Sequence, residues 1–254
     1  MVQFTADDDL RGARFRLANL TGARFDQSYL TGVLMRGVDL SGADIDGDIR
    51  GLVLNGVEVA PLVEAELNRR LPGREWRRSL DPAEQLQAFD AAQREWAAAI
   101  ARATARPELR DAHVDGEWSI SQTLRHLVMA TDGWLRHGVQ RMPDAFSPIG
   151  VPFTEWEDRA AELGMDPTAT PSWDEVLAER ADRVAQVRDF LAAATPEEFA
   201  APAPGLPPWH EDSPEEYRRR MTVGRCLGVI GNEEWEHLRY AVRDLDTIEA
   251  GTAP

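Results

Sequence analysis

The stretch NEEWEHLRY, residues 232–240, lies near the end of a chain of 254 residues and decides how the second part of that chain folds. Glu233 and His237 are four residues apart, so a helix places them on the same face. Cys226 and Ile230 fall on that face as well, which indicates that the face points into a core. A buried carboxylate costs free energy unless it is paired or bound to a metal. The stretch therefore predicts a helix that presents a carboxylate and an imidazole to a core, either paired with other groups or as two metal ligands.

Three more long helices are predicted ahead of this one from their capping residues and their apolar periodicity. Ser119, with Gln122 three residues later, forms a capping box. Asp81 followed by Pro82 is a second strong start signal. The four long helices are predicted over residues 81–105, 119–140, 172–191 and 222–248.

The connections between these helices differ in length. A long connection over residues 141–171 separates the second helix from the third, and a short helix is predicted near residues 154–163. After the third helix Thr195 starts another turn, and residues 201–214 form a loop rich in proline. Four long helices with a long crossover predict a mainly α fold, a four-helix bundle over residues 81–250.

A third ligand has to come from another helix, because one helix cannot close a metal site. The chain has five histidines, at positions 113, 126, 137, 210 and 237. His126 lies on a helix with one strongly apolar side. His137 lies about 16 Å further along the same helix at a rise of about 1.5 Å per residue, so the two cannot share an ion. His113 and His210 fall in predicted loops, and a lone histidine on an apolar face also fits a structural role in the core.

The bundle region resembles the DinB-like superfamily, and in particular its branch of mycothiol-dependent maleylpyruvate isomerases. The features that carry the resemblance are Trp118 and Ser119 at the start of the second helix, a histidine eight residues after that tryptophan, and Glu-x-x-x-His on the fourth helix. Members bind a divalent metal ion with three side chains, and this branch has Glu at the middle position. The isomerases carry a further C-terminal domain, and substrate contacts made by such a domain are not carried over to this chain.

The resemblance implies that His126, Glu233 and His237 hold one divalent metal ion, zinc or nickel. Glu234 and Glu236 fall on other faces of the same helix. We expect these two carboxylates to be solvated.

Three protein ligands leave a metal position open, which is typical of a catalytic site. Relatives activate a low-molecular-weight thiol such as mycothiol and pass it to an electrophile or use it in an isomerisation. The resemblance therefore implies a thiol S-transferase or a thiol-dependent isomerase, with a small thiol and an electrophile as its partners. Two alternatives stay open: a metal-dependent hydrolase, and a non-catalytic module that the metal stabilises. Dimerisation through bundle helices is common among relatives, and a homodimer is an expectation here.

A different pattern occupies the start of the chain. Apolar residues recur every five positions, at Leu10, Phe15, Leu20, Phe25, Leu30, Met35, Leu40 and Ile45. A period of five matches neither a helix nor a strand. The segment resembles the pentapeptide-repeat family, which implies a short right-handed, four-sided β-helix over residues 1–60 with these side chains pointing inward. Residues 61–80 are then a short helix and a linker. Long acidic members of that family mimic DNA, but so few turns favour a cap or a docking platform for a partner.

The composition excludes several classes of protein. The net charge is −16, with 44 acidic residues against 28 basic ones, so the chain repels phosphate backbones and we expect no nucleic-acid partner. No stretch reaches the roughly 18 apolar residues of a spanning helix, so we expect no membrane partner. A single cysteine, Cys226, excludes an internal disulfide and suits a reducing compartment. The first residues lack a secretory signal. We therefore expect a cytoplasmic protein.

Overall fold

The computed structural model of the protein describes residues 3–5, 7–166 and 168–251, so residues 1, 2 and 6 of the predicted repeat domain lie outside the described residues. The chain divides into two compact units, residues 1–48 and residues 49–254. The second unit therefore begins ahead of the predicted bundle and includes the segment that we predicted as a short helix and linker.

The second unit opens with a two-stranded hairpin and a helix. Strand β1 (Val53–Leu54) pairs antiparallel with β2 (Val57–Glu58). Asn55 and Gly56 between them both have positive φ, at +51° and +85°, which is the backbone of a tight primed turn. Helix α1 (Ala60–Arg70) follows directly, where a short helix was predicted.

Four long helices pack together in this unit and make the protein mainly helical. They are α2 (Pro82–Ala105), α3 (Ile120–Thr131), α4 (Trp173–Ala193) and α7 (Val223–Glu249). Helix α2 packs against α7 and α4, and α3 packs against the same two helices. The predicted caps are present: the Asp81 side chain accepts from the backbone N–H of Ala83, and Ser119 and Ser172 each close a capping box. The predicted helical fold of the second unit is confirmed.

The core of the bundle is built from large side chains of these helices. Trp96 on α2 and Trp235 on α7 are each 1% exposed, and Leu124 on α3 is fully buried between them and their neighbours. A second buried cluster around Phe199 and Leu227 fills the other part of the bundle. These apolar faces fix the rotation of each helix about its axis, because turning a helix would expose them.

Helix α3 does not continue to residue 140 as one regular α-helix. Its continuation, Asp132–Val139, is a π-helix, whose wider turn was not predicted. The buried carboxylate of Asp132 is paired with Arg183 and accepts a hydrogen bond from the backbone N–H of Ser147. At Gly133 an added Cβ would lie 2.2 Å from the ring of Trp209, so the absence of a side chain lets that indole rest on the helix.

The connections contain short helices. The crossover before α4 holds a 3-10 helix at Thr154–Leu163, where a short helix was predicted. Further 3-10 turns lie at Arg74–Trp76, Pro107–Leu109 and Pro208–His210. Two short α-helices, α5 (Pro196–Ala200) and α6 (Glu215–Arg220), precede α7, and the sequence indicated only the first of them. No helix in the part of the chain that the structure describes combines the length and the apolar character needed to cross a membrane.

The first unit is a regular series of turns. Backbone N–H groups of Ala13, Ala23, Val33 and Ala43 each donate to the carbonyl three residues earlier, so the turn recurs every ten residues. None of its described residues lies in a strand. The eight apolar residues of the five-residue period are 44–59% exposed, so their predicted inward packing is not seen in this unit. The four-sided β-helix therefore stays a prediction.

Candidate metal site

The three predicted ligands meet between α3 and α7. The Nε2 atom of His126 lies 3.5 Å from Oε2 of Glu233, and the Nε2 atom of His237 lies 3.1 Å from the same oxygen. One donor atom from each residue lies within 4.8 Å of the other two. His126 is buried, and the other two side chains are half-buried. The structure thus brings His126 of α3 next to Glu233 and His237 of α7, as the sequence predicted.

These distances fit one metal ion. Zinc bonds to nitrogen and carboxylate oxygen are about 2.0–2.1 Å long, so two donors of a tetrahedral site lie about 3.4 Å apart. The two separations above fall on either side of that value. The two separations from Glu233 therefore suit a shared ion, and all three donor atoms lie within 4.8 Å of one another.

The hydrogen bond of His126 gives a second, independent argument. Its Nδ1 atom lies 3.0 Å from the carbonyl oxygen of Val151, and since a carbonyl only accepts, Nδ1 carries the hydrogen. The Nε2 atom of neutral His126 then presents a lone pair to the Glu233 carboxylate. Two acceptors at this separation repel each other unless a cation, either a proton or a metal ion, lies between them. Metal-binding histidines are oriented by this kind of bond from the second ring nitrogen.

Burial and charge favour the deprotonated forms of two of these ligands. Burial lowers the pKa of His126, because the charged imidazolium is poorly solvated there. Burial alone would raise the pKa of Glu233, but the hydrogen bonds and charges of the two imidazoles outweigh it when those rings are protonated, and the pKa is then held well below its usual range. A metal ion binds the deprotonated forms, so both shifts favour metal over proton.

Two aromatic rings surround the imidazoles. The Trp118 indole lies 4.6 Å from the His126 ring and is stacked on the His237 ring at 5.9 Å, measured between centroids. The Tyr240 ring meets His237 edge-on at 5.7 Å. The sequence indicated Trp118 only as the residue before the cap of α3, at the start of the second predicted helix. The Trp118 and Tyr240 rings cover the two imidazoles from the sides that these distances define.

The expectation that Glu234 and Glu236 are solvated was wrong. Glu234 is fully buried, where it pairs with Arg180 of α4 and accepts a hydrogen bond from Gln93 of α2. Glu236 is half-buried and lies 2.8 Å from Arg74 in the segment before α2. The reason is that α7 packs against protein on several sides, so a residue that turns away from the ligands meets another element and not water.

The remaining histidines and the cysteine lie elsewhere. His137 lies in the π-helix beside the ring of Phe146, and His210 stacks on Tyr217. Cys226 is buried in an apolar cluster, as expected of a core residue, and burial raises the pKa of its thiol to about 12. Among the described residues, no other group of three His, Cys, Asp or Glu side chains converges as the three ligands do.

Comparison with known proteins finds a family match for the part of the chain that contains the candidate site. The family model of the DinB superfamily matches residues 105–241, more than half of the chain, and this range contains Trp118 and all three donors. Eight copies of the pentapeptide repeat match residues 9–47. Neither a curated protein nor a solved structure matches the chain.

Proposed function

Because the chain belongs to the DinB superfamily, we propose that it is a metal-dependent enzyme that acts on a low-molecular-weight thiol, as a thiol S-transferase or a thiol-dependent isomerase. The superfamily includes metal-binding, mycothiol-dependent enzymes, which makes mycothiol the first thiol to test. The single observation that supports the proposal most is the convergence of His126, Glu233 and His237, with both histidine nitrogens at a distance from the Glu233 oxygen that suits a shared ion.

The residues of this chain have separate tasks in the proposed site. His126, oriented by the Val151 carbonyl, and the pair Glu233 and His237 hold one zinc or nickel ion and leave a position open for the thiol. When bound, the metal supplies a Lewis acid that lowers the pKa of the thiol, and soft sulfur is a good ligand for it. The Trp118 indole, packed against both imidazoles, would shield the sulfur of a bound thiol from water on that side.

A titration of thiol into the cobalt-substituted protein tests the proposal. We expect mycothiol to produce a sulfur-to-cobalt charge-transfer band, while S-methyl mycothiol, whose sulfur cannot form a thiolate, produces no such band. His210→Ala is the matched control variant, because it removes a histidine that lies outside the site. A cobalt protein whose spectrum no thiol alters would contradict thiol chemistry and would leave water as the ligand of the open position, as in a hydrolase.

We also propose that residues 9–47 form a right-handed, four-sided β-helix. The recurrence of the same turn every ten residues supports this proposal, because two pentapeptides then make half of one coil. Gly12, Gly22, Gly32 and Gly42 share a φ of +74° to +76°, so the turn is repeated with the same backbone each time. Its role would be to dock a partner or a second copy of the chain, not to carry the chemistry.

A further inference from the structure

Three arginines that lie between α1 and α2 hold the turn of α7 that carries two of the proposed metal ligands. Arg74 donates from Nη2 to Glu236 at 2.8 Å. Arg77 donates from Nε, and Arg78 from Nη2, to the side-chain oxygen of Asn232, at 3.2 and 2.7 Å. Asn232 and Glu236 are the residues directly before Glu233 and His237 in the chain, so each proposed ligand on α7 has an anchored neighbour.

These arginines are themselves fixed from the other side. Arg74 is 1% exposed and Arg77 is 6% exposed, and both donate to the carboxylate of Glu64 on α1, at 2.8 and 2.9 Å. A buried guanidinium that loses a partner is left with an uncompensated charge, so such pairs resist separation. The contacts therefore run without a break from α1 through Arg74 and Arg77 to α7.

The backbone of this segment also touches α7 directly. At Gly231 an added Cβ would lie 2.8 Å from the carbonyl oxygen of Arg77, and at Gly228 it would lie 3.5 Å from the Cα of Arg78. Gly231 stands two residues before Glu233. At Gly231 the approach is closer than a side chain would allow, so the segment sets how far α7 can move toward it.

The opposite side of the same turn is held as well. Glu234 is buried against Arg180 of α4 and Gln93 of α2. Charged and polar side chains therefore hold residues 232–237 from two sides. Loss of the arginine contacts on one side would allow this turn to rotate toward Arg180 and Gln93 on the other.

We propose that Arg74 and Arg77 are positioning residues for the metal site, which act by fixing the rotation of α7 through Glu236 and Asn232. A binding site has to hold its ligands to within about 0.5 Å, and a small rotation of α7 moves Glu233 and His237 by that much relative to His126 on α3. The family match begins at residue 105, so this support comes from a segment outside the matched region. The inference rests on the proposed metal site, because metal affinity is what it predicts.

The test uses full-length Arg74→Gln and Arg77→Gln, with Arg102→Gln as the matched control. Arg102 also joins α2 to α7, through Asp246 and Glu249 at 2.6 and 2.8 Å, but at the end of α7 away from the ligand turn. We expect the apparent metal Kd, measured by competition with a chelator, to rise about tenfold in the two test variants, the lower end of what loss of supporting contacts costs a metal site. The control should bind metal as the wild type does.

Two further readouts separate positioning from general loss of stability. In metal-free protein, backbone amides of residues 232–237 should exchange faster in the test variants than in Arg102→Gln. Cobalt spectra of the test variants should differ in their d–d bands, because the ligand geometry changes. If Arg74→Gln fails to fold, Glu64→Gln replaces it in the test. This substitution removes the negative charge that Arg74 and Arg77 share, keeps both arginines, and changes a side chain that is 45% exposed and so tolerates substitution better.

The outcomes distinguish this inference from the proposed function. Folded test variants that bind metal within twofold of wild type, with unchanged exchange at residues 232–237, would overturn the positioning role and leave the metal site standing. A wild-type chain that binds no metal would overturn both.

Discussion

His126 is the residue on which the site depends most, because its two ring nitrogens are committed to different tasks. Nδ1 donates to the Val151 carbonyl, which leaves Nε2 with a lone pair toward Glu233. Val151 lies in the crossover between α3 and α4, so a residue outside α7 determines which nitrogen of His126 would face a bound metal ion. Second-ring hydrogen bonds of this type fix both tautomer and orientation in metal sites.

Glu233→Gln should abolish tight metal binding. The amide has nearly the shape of the carboxylate but no charge, so the ion would sit between three neutral donors. We expect the apparent Kd to rise about 100-fold, the upper end of what altered metal-site contacts cost. Asp246→Asn on the same helix is the control, since Asp246 is exposed and far from the ligands. Equal metal affinity in the two variants would show that Glu233 is not a ligand.

Asp132 should make stability fall as the pH rises. Burial raises the pKa of this carboxyl to about 6, although Arg183 opposes the shift, whereas its value in the unfolded chain is 3.8. Between these values the folded state holds a proton that the unfolded state has released, so unfolding becomes easier as pH rises through this window. Urea denaturation at pH 4, 5, 6 and 7 should show wild type losing stability relative to Asp132→Asn. If the difference in unfolding free energy between the two proteins stays constant with pH, or grows in favour of wild type as the pH rises, the raised pKa of Asp132 is contradicted.

At the scale of the elements, much of the bundle was predictable because its signals are local. Asp81, Ser119 and Ser172 cap their helices where predicted, and the spacing of Glu233 and His237 placed both on one face. These features depend only on residues within one or two turns.

Other features could not be predicted, because they depend on contacts between distant parts of the chain. The burial of Glu234 is set by Arg180, and the contact of Glu236 by Arg74. The π-helix at Asp132–Val139 coincides with a buried carboxylate paired with Arg183 and with an indole from a later loop resting on Gly133. No local periodicity encodes a partner that lies 50 or more residues away in the sequence, so these contacts appear only in the folded chain.

Gly231→Ala should destabilise the protein, although alanine is the better helix former by about 1 kcal/mol. Its Cβ would lie 2.8 Å from the Arg77 carbonyl, which is backbone and cannot turn aside. Gly228→Ala is the matched variant, because the nearest atom to its Cβ is Nε2 of the Gln85 side chain at 3.3 Å, a much smaller overlap than the one at Gly231. Urea midpoints should fall further for Gly231→Ala than for Gly228→Ala. The reverse order would mean that residues 71–80 do not press on α7.

At the scale of the whole molecule, the proposed metal site and the pentapeptide repeats lie in separate units. The proposed ligands and their supporting arginines all lie in the second unit, while the eight repeats lie in the first. The net charge of −16 disfavours phosphate-rich partners for either unit. The proposed chemistry therefore belongs to the second unit, and the packing of the first unit is the question that bears on its proposed docking role.

Phe25→Ala tests whether the first unit closes into a β-helix. Within a closed coil the ring is buried, and its loss should cost about 3 kcal/mol or more. Leu17→Ala is the control, because Leu17 lies outside the five-residue period and is 98% exposed. We expect hydrogen exchange across residues 9–47 to rise in Phe25→Ala and to stay unchanged in Leu17→Ala. Unchanged exchange in both variants would contradict the closed coil and agree with the exposed ring.

The central claim is that His126, Glu233 and His237 bind one divalent metal ion, and elemental analysis of the purified full-length protein tests it most directly. We predict close to one zinc or nickel ion per chain in the wild type and in His137→Ala and His210→Ala, and its loss in His126→Ala and His237→Ala. A wild-type protein that folds normally without metal, or variants at positions 126 and 237 that keep it, would contradict the claim and leave the three side chains as part of the core.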